Sequence, residues 1–303
     1  MCNINLFIKK KSKTDMFDLS FLQIATLNSF QSNDDGEGFI SFDDGNKEVN
    51  TFKSTHKLAI IRKPERYLNK TFVAFHERYK THGDVSTDNT QPVETENVFV
   101  FHNGIMNVTN KSEKLDENVK DSDSVIFAKR LNKRIMNGAT LPESFKALIP
   151  KIEGSKSLLM FDRTTFKLYY YKNSGTVFYC VKNKEIAFLS TNKENCDVAS
   201  LFYHGLKETT IKDGVLYEIE INGNFKKVFK IKDDYSKLYS GTFKKFSRVN
   251  LYGEVINNTQ KDTSEDLGSV LSIDKQGNLI RKETITADSL KEDDYNKYSW
   301  AGY

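Results

Sequence analysis

The chain has 303 residues, enough for one large domain or two small ones with a real core. Its net charge of +4 is spread over residues of mixed sign, and the run Lys9-Lys10-Lys11 is short enough to be a solvated loop, so nucleic acid is not an expected partner. No apolar stretch reaches the roughly 18 residues a membrane span needs, and the charges at 9 to 11 interrupt the apolar start, so a cytoplasmic chain without membrane span or secretory signal is expected.

In chain order, the first informative residue is Cys2. A small residue in second place lets Met1 be removed, leaving a chain that begins Cys2-Asn3-Ile4-Asn5. That residue then carries a thiol and a free α-amino group, which titrate at about 8.5 and about 8, so the nucleophile brings its own base and needs no histidine. The other two cysteines, Cys180 and Cys196, are scattered, which fits neither a disulfide framework nor a zinc site, and no metal or cofactor is expected. Asn5 to Ile8 reads as a short strand with Cys2 at its tip. Thr14 or Asp15 then caps a helix whose apolar stripe is Phe17, Phe21, Ile24 and Ala25, widened by Leu22 and Leu27. A turn at Asn33 to Gly38 leads into a strand at Phe39 to Phe42.

Two further strands stop in polar residues. Phe72 to Phe75 runs into His76-Glu77-Arg78-Tyr79-Lys80-Thr81-His82-Gly83, and Val98 to Phe101 runs into His102-Asn103-Gly104-Ile105. A rigid scaffold presents site residues in this way, although each junction alone also reads as an ordinary strand-to-turn step, Asn-Gly being a common turn pair. Asp121-Ser122-Asp123-Ser124 opens an amphipathic helix through Val125, Leu131 and Ile135, and for either aspartate capping is the competing role. From Ser157 the pattern is all strand: Leu158 to Phe161, Lys167 to Lys172, Val177 to Val181 and Ile186 to Ser190. A last hairpin runs from Val215 to Ile221, turns at Asn222-Gly223 and returns from Phe225 to Ile231. The expected domain is 2–231. The polar remainder, 232–303, is an extension with weak strands near 249–255 and 270–273 and an aromatic, acidic tail at 293–303, either packed on the domain or docking a partner.

Several of these segments, in this order and spacing, resemble the glutaminase domain of class II glutamine amidotransferases, within the N-terminal-nucleophile hydrolases. The matching pieces are Cys2, Asp35-Gly36-Glu37-Gly38, His76 to Gly83, His102-Asn103-Gly104-Ile105-Met106-Asn107 and Ser122-Asp123-Ser124. Asn89 and Gln91-Pro92 also sit where relatives read Asn-x-x-Pro. The resemblance implies an α+β fold, a four-layer αββα sandwich of two antiparallel sheets between helices. It implies that Cys2 attacks the side-chain amide carbon of glutamine, that the Asn103 side chain and Gly104 N–H form the oxyanion hole, that Arg78 holds the α-carboxylate and Asp123 the α-ammonium, and that backbone around Thr81 and His82 completes the pocket. The chemistry asks for these types: an oxyanion needs aimed donors, and a zwitterion needs one cation and one anion.

The departures are local. No arginine precedes the early turn, and Glu77 and Lys80 flank Arg78, so Glu77 either pairs with Lys80 or weakens the hold of Arg78 on a carboxylate. The chain has neither a P-loop nor a Ser-Gly-Gly-x-Asp-Ser loop, so a separate ammonia-accepting synthetase is the expected partner, beside the small-molecule substrate glutamine. The alternatives are an amidohydrolase of γ-glutamyl amides without ammonia transfer, and a catalytically idle assembly module.

Overall fold

The computed structural model describes residues 2–10, 14–30, 33, 35–43, 46–56, 58, 61–62, 66–81, 83–108, 120–183, 185–220 and 222–231, without the side chains of 30, 46 and 47, and the backbone of four short segments further on. In chain order the elements are β1 (Asn3–Lys9), α1 (Met16–Phe30), β2 (Glu37–Asp43), β3 (Asn46–Ser54), β4 (Phe72–Glu77), β5 (Val93–Glu94), β6 (Val98–Asn107), α2 (Asp123–Met136) and α3 (Leu141–Leu148). There follow β7 (Glu153–Asp162), β8 (Lys167–Lys172), β9 (Phe178–Lys182), β10 (Ile186–Ser190), α4 (Lys193–Phe202), β11 (Lys207–Thr209), β12 (Val215–Ile219) and β13 (Phe225–Lys230).

These strands form two antiparallel sheets, in the orders β11-β9-β10-β1-β4-β2-β3 and β13-β12-β8-β7-β6-β5. Strand alternation sorts the side chains into three apolar layers. Ile4, Leu6, Ile40 and Ala74 of the first sheet meet Phe99, Phe101, Leu159 and Tyr170 of the second. On the far side of the first sheet Phe7, Phe39, Phe75 and Phe188 pack with Phe21 and Ala25 of α1 and Ala199 of α4. On the far side of the second, Val100, Leu158 and Tyr171 pack with Phe127 and Leu131 of α2 and Phe145 of α3. Both sheets are therefore covered on both faces, which is why β1 and β4 read as unbroken apolar runs. The result is the four-layer sandwich expected, helices outside and sheets within.

Some local expectations change. Asp15 caps α1, its Oδ1 accepting from the N–H of Phe17 and Asp18. The buried stripe of α1 is Leu19, Phe21, Leu22 and Ala25, whereas Phe17, Ile24 and Leu27 are exposed. Phe17 still meets Phe202 of α4, ring centroids 5.1 Å apart. The region after Ser157 is not all strand, because Asn192 caps the helix α4, which buries Asn195, Cys196 and Ala199. The strand β3 and the helix α3, opened by a Thr140–Glu143 capping box, had no counterpart in the sequence reading.

Internal contacts divide the chain into two compact units, Met1–Phe243 and Lys244–Tyr303. Within the second, Arg248–Val249 pairs with Val255–Ile256 and Leu271–Ile273 with Leu279–Arg281. The tail at 293–303 lies outside the described residues. Among those residues no helix is long and apolar enough to cross a membrane.

Candidate active site

Cys2 stands one residue before β1, at the end where β4 delivers Arg78. The β1–β4 register sets Asn3 opposite Glu77 and Ile4 opposite His76, so one step further along Cys2 meets the segment Arg78-Tyr79. The Cys2 Sγ accepts from the Tyr79 N–H and donates to the Tyr79 carbonyl, each at 3.3 Å. Burial pushes the thiol up, while the Tyr79 hydrogen bond, the positive amino terminus and Arg78 pull it back and Asp123 adds to the rise. The charges of Arg78 and Asp123 thus both reach the sulfur.

Arg78 is 3 % exposed. Its backbone is held on both sides, the N–H donating to Gly36 O at 2.7 Å and the carbonyl accepting from Asp35 N at 3.0 Å. One guanidinium nitrogen donates to Asp84 O at 3.0 Å. Burial lowers the guanidinium, and Cys2, Asp35 and Asp123 oppose that shift. Asp35 also accepts from the Lys80 N–H at 2.7 Å, which ties the turn after α1 to the segment following β4. Glu77 does not turn to Lys80: its carboxyl turns into the layer under α1, where Asn5 Nδ2 donates to it at 3.3 Å, and it is fully buried.

Asn103 and Gly104 lie inside β6, not at a turn: the strand runs on to Asn107, paired with β7 throughout. Alternation from Phe99 and Phe101 turns Asn103 toward the layer between the sheets. His76 bridges that layer one residue away, its Nε2 lying 3.3 Å from the His102 carbonyl, so this nitrogen carries the proton. Burial drives the His76 imidazole down to about 3, which keeps it neutral.

Gly104 is required by its backbone. Its φ is +137°, and a Cβ there would stand 2.2 Å from Ser155 O. Ladder alternation points the N–H groups of His102, Gly104 and Met106 to the edge of β6 away from β7. At that edge the His102 N–H is taken by the Gln91 side chain and the Met106 N–H by Asp123 Oδ2 at 2.9 Å. The Gly104 N–H falls between these two side-chain caps.

Asp123 opens α2 without capping it. The cap is Ser122, whose hydroxyl accepts from Val125 N, and Asp123, 8 % exposed, reaches β6 instead. Asp121 pairs with Lys129 at 2.6 Å on the helix surface. His102 sits behind the group, its Nδ1 3.0 Å from Ser124 Oγ and 3.8 Å from Asp123 Oδ2; burial lowers this imidazole and Asp123 opposes the shift. Asn89 braces the loop in front, donating to Asp84 O and Lys120 O and accepting from Ser122 N.

The structure therefore gathers Cys2, Arg78 and Asp123 within reach of one another's charge and sets Asn103 and Gly104 on the strand that Asp123 holds. Thr81 is exposed, and His82 lies outside the described residues. Sequence reasoning gave no role to Asp35, Gln91, His102 or Ser124, all of which stood inside or beside the quoted segments. Among the described residues no group of three or more His, Cys, Asp or Glu could hold a metal ion.

No family model matches the chain. Glutamine–fructose-6-phosphate aminotransferase (isomerizing) of Helicobacter pylori is 27 % identical over 152 residues, 48 % of this chain and 26 % of the relative. The protein of the same name from Buchnera aphidicola is 24 % identical over 203 residues, 64 % of this chain and 32 % of the relative. The chain thus spans about a quarter to a third of the length of these relatives. Among solved structures, glutamine phosphoribosylpyrophosphate amidotransferase from B. subtilis superposes with a TM-score of 0.54 at 15 % identity, over 75 % of this chain and 48 % of that one, a likeness of fold. Sequence and fold point the same way: the chain is similar in sequence to these aminotransferases and in fold to that amidotransferase, in line with its resemblance to the class II glutamine amidotransferases.

Proposed function

We propose that this chain hydrolyses the side-chain amide of glutamine to glutamate and ammonia. The observation that carries the reading is the Cys2 sulfur, half-buried against Tyr79 with one guanidinium and one carboxylate in electrostatic reach. Such a pair suits the two ends of a zwitterionic amino acid, with Arg78 on the carboxylate and Asp123 on the ammonium. The reading requires Cys2 as the first residue of the mature chain, so that its own amine takes the thiol proton. The thiolate attacks the amide carbon, and the oxygen that gains the electron pair is met by the Asn103 side chain and the Gly104 N–H. Collapse expels ammonia, the amine returning the proton, and leaves a γ-glutamyl thioester. Water then adds to the thioester, and the thiol leaves glutamate behind. Backbone at Thr81 completes the pocket.

Ammonia is the product worth protecting, and we infer an acceptor enzyme on a separate polypeptide. The relatives' name, an aminotransferase that uses glutamine, favours a transfer reaction over plain amide hydrolysis. The test is an untagged chain, checked by intact mass for loss of Met1, assayed for ammonia from glutamine and from γ-glutamyl amides, beside Cys2→Ala. Activity on glutamine that vanishes with Cys2→Ala is expected. Equal rates in the two proteins overturn the mechanism, and a preference for γ-glutamyl amides overturns the substrate.

A further inference from the structure

We propose that His76, given the glutamine hydrolysis proposed above, is a positioning residue for the oxyanion hole: a strut that sets the hole against the nucleophile across the two sheets. Cys2 leads into β1 of the first sheet, whereas Asn103 and Gly104 belong to β6 of the second. The two strands share no ladder, so the distance from thiol to hole depends on contacts through the layer between the sheets. A misplacement of about 1 Å at a reacting centre can cost about 10²-fold in rate.

His76 stands where that distance is decided. On β4 it pairs with Ile4 of β1, two residues from Cys2, and it lies two residues before Arg78. Alternation from Phe72 and Ala74 turns its ring into the layer between the sheets, where it meets Phe101, ring centroids 6.5 Å apart. Its Nε2 donates to the His102 carbonyl at 3.3 Å, and that carbonyl belongs to the peptide unit that continues into Asn103. The imidazole crosses a layer whose members include Ile4, Phe101 and Leu159, surroundings in which a hydrogen bond is stronger than in water. Gln91 Nε2 reaches the same carbonyl at 3.0 Å, while Gln91 Oε1 accepts from the His102 N–H. Gln91 thus fixes His102 along its own strand edge, and His76 ties it to the sheet that carries Cys2. The approach is close here: Gly38, opposite His76 on β2, has no room for a side chain, because a Cβ would stand 2.2 Å from Gln91 O. His76 Nδ1 has no hydrogen-bond partner among the described residues, so replacing the ring removes the one bond to His102.

The test uses the full, untagged chain with Met1 removed and steady-state kinetics on glutamine. His76→Phe, which keeps a ring and loses the donor, is expected to lower kcat about 10- to 100-fold with KM within about threefold. His76→Gln, which restores an N–H at similar reach, is expected to recover to within about threefold of wild type. Added to Asn103→Ala, His76→Phe is expected to cost about threefold or less, because the group it positions is gone. Alkylation of Cys2 by iodoacetamide, which displaces iodide and forms no oxyanion, is expected to keep its rate in His76→Phe. Unchanged kcat in His76→Phe overturns the strut, as does a loss of equal size in the Asn103→Ala background. A His76→Gln no better than His76→Phe overturns it too, and so does slowed alkylation, since the damage then reaches Cys2. A wild type inert on glutamine removes the reading of the whole site, whereas an active wild type with an indifferent His76→Phe removes this inference alone.

Discussion

Glu37 and Glu77 stand directly opposite each other across the β2–β4 ladder, 2 % and 0 % exposed. Side chains at directly paired positions share a face, so the two carboxyls lie together in the layer under α1. Burial and then Glu37 raise the Glu77 carboxyl well above its ordinary 4.5. Glu77 precedes Arg78, and Glu37 follows the Asp35-Gly36 pair that holds the Arg78 backbone, so this contact sits behind the substrate side of the site.

The sign of its pH effect follows from proton counts. Above about 4.5 the unfolded chain has released the Glu77 proton while the folded chain still holds it, so stability falls as pH rises from there toward the raised folded value. Glu77→Gln keeps an acceptor for Asn5 and removes the titration. It is expected to raise Tm by a few degrees at pH 8 and to narrow the difference in Tm between pH 5 and pH 8. An unchanged difference in thermal scans rules out Glu77 as its source.

Asn103→Ala separates transition-state from ground-state roles. The residue is only half-buried, so the fold has little to lose. Steady-state kinetics on glutamine are expected to give kcat lower by about 10²–10³ with KM within about threefold. A fall carried by KM alone removes Asn103 from the oxyanion hole.

Gly104→Ala is a different kind of change. The new Cβ would stand 2.2 Å from Ser155 O at a φ of +137°, and neither atom belongs to a flexible side chain. A loss of about 3 kcal/mol or more in urea unfolding is expected, together with activity. A variant as stable as wild type would mean that the β6–β7 pair relaxes freely there.

Asp123→Asn retains an oxygen for the Met106 N–H, and Ser122 still caps α2, so folding should survive. Only the charge is lost. KM for glutamine is expected to rise at least about tenfold, equivalent to about 1.4 kcal/mol, with a smaller change in kcat. Unchanged KM would remove Asp123 from the ammonium end.

Much of this was legible because it is periodic. The apolar runs of β1, β4, β6 and β8 and the hairpin at Asn222-Gly223 follow from strand alternation and turn chemistry. The motif residues fell in segments whose order carries the family likeness. Other features were illegible for local reasons. The sequence of β3 is polar because it is an edge strand, and α4 is short and begins in Lys-Glu-Asn, which looks like a loop until Asn195 is seen donating to Asn5 and Ser29. Phe17 of α1 stays exposed, and the one side of its ring that is covered meets rings of α4 and its end, partners far along the chain. Asn103-Gly104 resembles a turn because local propensity favours one, and only the pairing of β6 with β7 overrides it.

The caps that Gln91 and Asp123 place on β6 have a consequence beyond catalysis. Past the two residues of β5, no strand among the described residues neighbours the rim of this sheet, and bare peptide groups there would invite an extended segment from another molecule to add on. Two side chains, Gln91 and Asp123, occupy peptide groups that such an intruder would use, one on each side of the Gly104 amide.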